Sequence, residues 1–263
     1  MACPREVVLD ALHQLAPTHL AESWDNVGLL VDPGERTEFE RAFITIDLSD
    51  TTLEEALSSK ADFIVAYHPP IFSGLKRLRW DQPAERIILR ALREGLTIYS
   101  PHTALDAVPD GMGDWLARAV GPGRIKPIVP HESDSAAGSG RTIRLDRAIS
   151  IDVAISMVKS HLGLSTLRTS RAGTELPITN VGVCPGAGGA VFEHLKRVDL
   201  LITGEMRHHD VLNFRARGTH VILTEHTNTE RGYLPYLAQD LRKTCPGLEV
   251  LLSQLDADPL EIA

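Results

Sequence analysis

The sequence predicts an α/β protein made of two related halves, each a mixed sheet flanked by helices. Three observations predict it. The 263 residues are 43% hydrophobic and 24% charged, an ordinary globular composition with length for one large or two small domains. Short apolar stretches alternate with helix-periodic ones along the chain. A string of chemistry-bearing residues closing one such stretch recurs in the second half.

The elements follow in order. Val8, Leu12 and Leu15 lie at helical spacing ahead of Pro17, which predicts a helix over Arg5–Leu15. Strands are then predicted at Ala42–Ile46, Phe63–Ala66 and Leu96–Tyr99, separated by helices Thr52–Ser59 and Ala84–Glu94. The stretch His131–Gly140, HESDSAAGSG, holds no large apolar residue and is expected to be a flexible connection. Alternation resumes with strand Thr142–Leu145, helix Ile151–His161, strand Asn180–Cys184, helix Ala190–Arg197 and strand Asp199–Thr203. Helix Arg207–Arg217, strand His220–Thr224, helix Thr229–Lys243 and strand Leu248–Leu252 complete it. The expected division is a first half over 1–130, a connecting segment over 131–178 and a second half over 179–263.

Composition excludes several classes. A disordered chain, a collagen and a disulfide miniprotein do not fit. The 27 Lys and Arg against 35 Asp and Glu give a net charge of −8, so no basic field exists to hold a nucleic-acid backbone and direct binding is not expected. Cys3, Cys184 and Cys245 are scattered without a CxxC pair, which argues for a reducing compartment and against a thiolate zinc site. Glu6 and Asp10 interrupt the N-terminal segment, so neither a signal peptide nor a membrane anchor is expected. The expected location is the cytoplasm, extending to the nucleus for a eukaryotic chain.

Histidine is the compositional anomaly. Five of eleven (His194, His208, His209, His220 and His226) fall between residues 194 and 226, where an even spread would put about 1.4. The repeat gives part of that crowding a meaning. LTIYSPHTALD (96–106) and THVILTEHTNTE (219–230) are each an apolar strand followed by His-Thr-x-x-acid, pairing His102 with Asp106 and His226 with Glu230. Upstream of each lies an Asp-led apolar strand ending in a polar cluster, His68 in one half and Glu205, His208 and His209 in the other. Ligands in open α/β sheets collect beyond the carboxyl ends of strands. Neutral imidazole and carboxylate suit Zn²⁺, Mn²⁺ or Fe²⁺, and converging carboxylates call for a cation, so a metal-lined cleft supplied by both halves is expected. A second role stays open for Asp106 and Glu230, as helix N-terminal acids favoured by the dipole.

Other strings say less. GVCPGAGG (182–189) lacks the spacing of a phosphate loop and predicts a tight strand–helix turn, with Cys184 as a buried structural thiol. In SWDNVGLLV (23–31), Trp24 and Asp25 either face a cleft or pack.

Taken together, ESWDNVGLLV (22–31), AYHPPIFSGLK (66–76), SPHTALDA (100–107), LLITGEMRHHD (200–210) and EHTNTERGYL (225–234) resemble the NGG-interacting factor 3-like family, also known as GTP cyclohydrolase I type 2 homologues, and are closer to its eukaryotic-type members. The resemblance implies two related α/β halves, a homo-oligomer (a dimer or a hexameric ring) and a di-metal centre. It implies His68, Asp106, His226 and Glu230 as metal ligands, with His102 and Glu205 near the metals as further ligands or orienting groups. Tyr67 stands where many members carry a second histidine, and a phenol of pKa near 10 is a poor ligand. One or two divalent ions per chain are therefore both open.

Two functions compete. In a metal-dependent hydrolase acting on a nucleotide-like or phosphate-containing small molecule, His102, Glu205 or His209 would move protons. In a non-enzymatic regulator, the metal is structural and the partners are transcription-cofactor proteins, as the family name implies.

Overall fold

Strands form where the sequence places short runs whose side chains are all buried: Phe63–Ala66, Thr97–Ser100, Leu200–Thr203 and His220–Leu223. Burial on both faces is the signature of parallel sheet covered by helices. The structure, a computed structural model, describes residues 2–34, 36–173 and 176–261. It divides into two units, one running to Leu105 and rejoined by Tyr233–Pro259, the other spanning Asp106–Gly232.

The first unit opens with β1 (Cys3–Pro4), α1 (Arg5–Leu15), β2 (Gly28–Val31) and β3 (Glu38–Phe39). It continues through β4 (Arg41–Thr45), α2 (Asp50–Ser58), β5 (Phe63–Ala66), α3 (Pro83–Arg93), β6 (Thr97–Ser100) and the start of α4 (His102–Ala107). A capping box starts α2, Ser49 accepting from the Thr52 amide while Thr52 accepts from the Ser49 amide. Pro83 opens α3, where its missing N–H costs nothing.

The second unit holds α5 (Met112–Ala117), β7 (Gly123–Pro130), β8 (Gly138–Ile149), α6 (Ile151–Leu162), β9 (Arg168–Ser170) and β10 (Ile178–Cys184). It ends with α7 (Gly189–Phe192), β11 (Leu200–Thr203), α8 (His208–Ala216) and β12 (His220–Leu223). The chain then returns to the first unit as α9 (Leu234–Thr244) and β13 (Glu249–Leu252).

The first sheet runs β13-β4-β5-β6-β2, parallel except for β2. Phe43, Ile64 and Ile98 pack with Leu53, Ile88 and Leu96 on one side of it. The second runs β7-β8-β10-β11-β12-β9, with β10, β11 and β12 parallel and the outer strands antiparallel. Phe192, Leu201, Phe214 and Val221 form a cluster there.

The halves share a local device. Asp62, ahead of β5, accepts from the Glu40 and Arg41 amides at 2.9 and 3.0 Å. Asp199, ahead of β11, accepts from the Thr179 and Asn180 amides, both at 2.9 Å. Each aspartate thus ties its strand to the entry of the preceding one, which is the physical content of the Asp-led repeat.

Several expectations are corrected. His131–Gly140 does not join the halves; it covers the turn of the β7–β8 hairpin and the start of β8. Residues 234–252 do not extend the second half, because β13 pairs in parallel with β4, Val250 opposite Ala42. Helix Ala190–Arg197 is only Gly189–Phe192, and the helix from Thr229 begins at Leu234 after two 3₁₀ turns. Strands β7 and β9 and helices α4 and α5 carry too little periodic apolar signal to be predicted. Among the described residues no helix is long and apolar enough to cross a membrane.

Candidate functional site

In the first unit the parallel strands deliver their chemistry at their carboxyl ends. Tyr67 and His68 follow β5, and their amides still donate to Thr45 and Ile46, which fixes the direction of both side chains. His68 Nδ1 lies 2.8 Å from Asp47 Oδ1. His102, two residues after β6, places Nδ1 2.7 Å from Asp25 Oδ1 and has a left-handed backbone, φ +26°. Thr103 donates to the other Asp25 oxygen through both its amide and its hydroxyl. Burial works against ionising Asp25, yet the hydrogen bonds from His102, Thr103 and the Asn26 amide hold its carboxyl below the ordinary range. The His68 and His102 rings meet edge to face at 5.3 Å, and Tyr67 lies 5.0 and 5.4 Å from them. Tyr67 is itself buried.

In the second unit, Glu205 follows β11 and His226 follows β12. His226 Nδ1 is 2.9 Å from Glu205 Oε1, and its Nε2 is 3.5 Å from Glu230 Oε1. Glu230 is almost wholly buried. The strand–helix turn predicted at 182–189 is present and has a further role. Gly186, at φ +59°, passes so close that a Cβ there would stand 2.8 Å from His226 Nε2 and 2.9 Å from Glu230 Oε1. Its carbonyl accepts from the Glu205 amide at 2.9 Å, and its amide donates to Thr229 Oγ1 at 2.8 Å. Gly204 is equally constrained, since a Cβ would meet the Gly186 carbonyl at 2.7 Å. The glycines make a cradle around the imidazole–carboxylate pair.

Three histidines therefore share one arrangement, Nδ1 on a carboxylate. A carboxylate only accepts, so each Nδ1 is the donor to its carboxylate and each ring turns Nε2 away from it. That is how metal-ligating histidines are oriented. His226 and Glu230 offer ligand atoms in the second unit and His68 offers one in the first. The cradle, the buried carboxylate and the oriented imidazoles fit a divalent cation.

Other expected residues fare differently. Asp106 is half-buried in the last turn of α4, and Glu230 follows the 3₁₀ turn Thr227–Thr229. Asp106 is therefore not at a helix N-terminus, whereas Glu230 directly precedes the 3₁₀ turn Arg231–Tyr233 that runs into α9, so the dipole role considered for both is removed for Asp106 alone. His209 is exposed at the start of α8 with its ring 5.4 Å from His208. Among the described residues it makes no hydrogen bond to Glu205, His226 or Glu230. His220, from the histidine crowd, is buried on β12 and its Nδ1 accepts from the Ala172 amide. Sequence reasoning missed Asp47, and left Asp25 and Gly186 without this role; the signal for Asp47 was its place just beyond a strand end.

The geometry can be set beside known proteins. Residues 5–259 match the model of Duf34/NIF3 (NGG1p interacting factor 3). The chain is 42% identical over 255 residues to the Protein NIF3 homolog of Schizosaccharomyces pombe, covering 92% of this chain and 91% of that protein. It is 35% identical to NGG1-interacting factor 3 of Saccharomyces cerevisiae over 262 residues, again 92% and 91% of the two chains. In fold it is similar to the Bacillus cereus protein related to NIF3, with a TM-score of 0.88, 17% identity and 99% of both chains covered. With the model spanning nearly the whole sequence, the chain belongs to the Duf34/NIF3 (NGG1p interacting factor 3) family.

Proposed function

We propose that this chain is a divalent-metal-binding protein and a metal-dependent hydrolase acting on a nucleotide-like or phosphate-containing small molecule. The observation that carries the reading is the shared orientation of His68, His102 and His226, each with Nδ1 on a carboxylate at 2.7–2.9 Å. His68, Asp106, His226 and Glu230 are the proposed ligands, for one or two ions of Zn, Fe or Mn. A divalent ion would supply Lewis acidity and lower the pKa of a bound water from 15.7 to about 7. Glu205 holds the His226 ring, and Asp25 holds the His102 ring in the role of moving a proton. Exposed His209 is given no role. The oligomer, a dimer or a hexameric ring, is part of this proposal.

Elemental analysis of untagged protein purified without added metal tests the binding. One or more ions per chain is the expected result, and a few tenths of an ion or less refutes it. Turnover of a nucleotide and phosphoester panel by the loaded protein, lost in His226→Ala with the assembly intact, tests the chemistry. A second reading is favoured by the name of the budding-yeast relative, NGG1-interacting factor 3: a regulator that contacts transcription cofactors and uses its metal structurally. In that case His226→Ala lowers thermal stability and disrupts assembly, and no substrate of the panel is turned over.

A further inference from the structure

Beside His102 the first unit leaves two large aromatic rings in solvent. Trp24 is 58% and Phe72 52% exposed, although ring burial is among the strongest stabilising contributions available to a side chain. They are not loose neighbours. Their centroids are 5.9 Å apart, and each approaches the His102 ring, Trp24 at 6.1 Å and Phe72 at 6.4 Å, both near edge to face. Asn26, two residues after Trp24, donates from Nδ2 to the Ile71 carbonyl next to Phe72, tying the two loops together. Asp25, between Trp24 and Asn26, is anchored to His102 and Thr103. Both rings are thus held in place while about half of each side chain stays exposed.

The loop beyond Phe72 adds charge. Lys76 and Arg77 are exposed and form no ion pair with a described carboxylate, in a chain whose net charge is −8. Arg79, by contrast, is paired with Asp81.

We propose that Trp24 and Phe72 form a stacking platform for a flat heteroaromatic ring carrying an anionic group, beside His102. A preorganised exposed indole accepts any π-face, and Lys76 and Arg77 favour an anion. The inference deepens the hydrolase reading by naming the substrate class, and it rests on that reading for what is done to the ligand.

The test uses the full chain and adenosine 5′-monophosphate as probe, with ribose 5-phosphate as the same anion without the ring. In a Trp80→Phe background Trp24 is the exposed indole, because Trp115 is buried. The nucleotide is expected to quench its fluorescence saturably, and ribose 5-phosphate is not. By calorimetry, Trp24→Ala should weaken nucleotide binding about 10-fold or more, the scale of one lost base–aromatic stack, while Trp24→Phe stays within about 3-fold. Phe72→Ala should follow Trp24→Ala. Equal dissociation constants for the two probes, no nucleotide binding, or an unchanged constant in Trp24→Ala overturns the proposal. So does a smaller assembly of Trp24→Ala on size exclusion, which would make the rings an interface between copies. Metal content measured on the same samples separates the two readings: a metal-free chain that still stacks the nucleotide refutes the hydrolase and leaves the platform standing.

Discussion

Replacing Gly186 by alanine isolates the glycine cradle from everything else in the second unit. The added Cβ would lie 2.8 Å from His226 Nε2, 2.9 Å from Glu230 Oε1 and 3.1 Å from His226 Cε1, where ordinary contact begins at 3.4 Å. The imidazole and carboxylate must therefore retreat by roughly half an ångström, against a tolerance of about 0.2 Å in a metal–ligand distance. The left-handed backbone at φ +59° adds about 1–2 kcal/mol of strain for a residue with a Cβ. Metal affinity should fall about 10- to 100-fold, as when an orienting partner is lost. The melting temperature of the metal-free protein should drop by about 2–4 °C per kcal/mol. Competition against a chromophoric chelator reads the first effect and calorimetry the second. Gly189→Ala is the control in the same turn, because its Cβ would meet nothing nearer than Asp210 Oδ2 at 3.5 Å. Wild-type affinity in Gly186→Ala would refute the assignment of His226 and Glu230 as ligands.

Three further outcomes follow. Glu205→Gln, which replaces the carboxylate at His226 Nδ1 with an amide, should weaken metal binding about 10-fold while leaving the fold intact by circular dichroism. Arg141 is fully buried on β8, paired with Asp114 and donating to the carbonyls of Gly138, Gly140, Ala107 and Val108. Arg141→Leu should cost about 3–5 kcal/mol in urea unfolding, with the Arg141→Leu/Asp114→Leu pair recovering part of it. Glu55 on α2 accepts from Ser253 and from the Gln254 and Leu255 amides; burial opposes its ionisation, but these bonds hold its carboxyl below the ordinary range. A depressed pKa contributes stability above the unfolded-state value and loses it as pH falls through the folded one. The protection factor of the Gln254 amide, corrected for intrinsic exchange, should therefore be high near neutral pH and fall as pH drops through the lowered carboxyl pKa, and Glu55→Gln should abolish that dependence.

The parallel strands at Phe63–Ala66 and Leu200–Thr203 were legible because a strand buried on both faces must be a continuous apolar run. So was the placing of polar residues beyond strand ends: His102 follows β6, Glu205 follows β11, and His226 and Glu230 follow β12. The edge strands β7 and β9 were not legible. β7, with Arg124, Lys126 and two prolines, is only partly buried, and its pairing with β8 is fixed by backbone bonds that leave no apolar period. The return of α9 and β13 to the first sheet is a long-range pairing, and nothing in the local string Glu249–Leu252 says that its partner lies about 200 residues earlier. Asp47 and Gly186 were missed for a related reason. Their roles depend on what lies across a turn, which spacing along the chain does not encode.

The two halves share a strand–helix–strand frame but not the arrangement beyond it. The clamps made by Asp62 and Asp199 are alike because backbone amides at a strand entry are the same in any sheet. Beyond the strand ends the halves diverge. The first half holds its histidines with two aspartates, Asp47 and Asp25, and surrounds them with Tyr67, Trp24 and Phe72. The second uses one glutamate and a glycine turn that closes on His226 and Glu230. Short aspartates fix a ring against its own strand end, and bare backbone makes room for a buried carboxylate. On the function proposed above, the glycine turn and buried Glu230 favour a cation in the second half, and the aromatic rings of the first half favour an organic ligand.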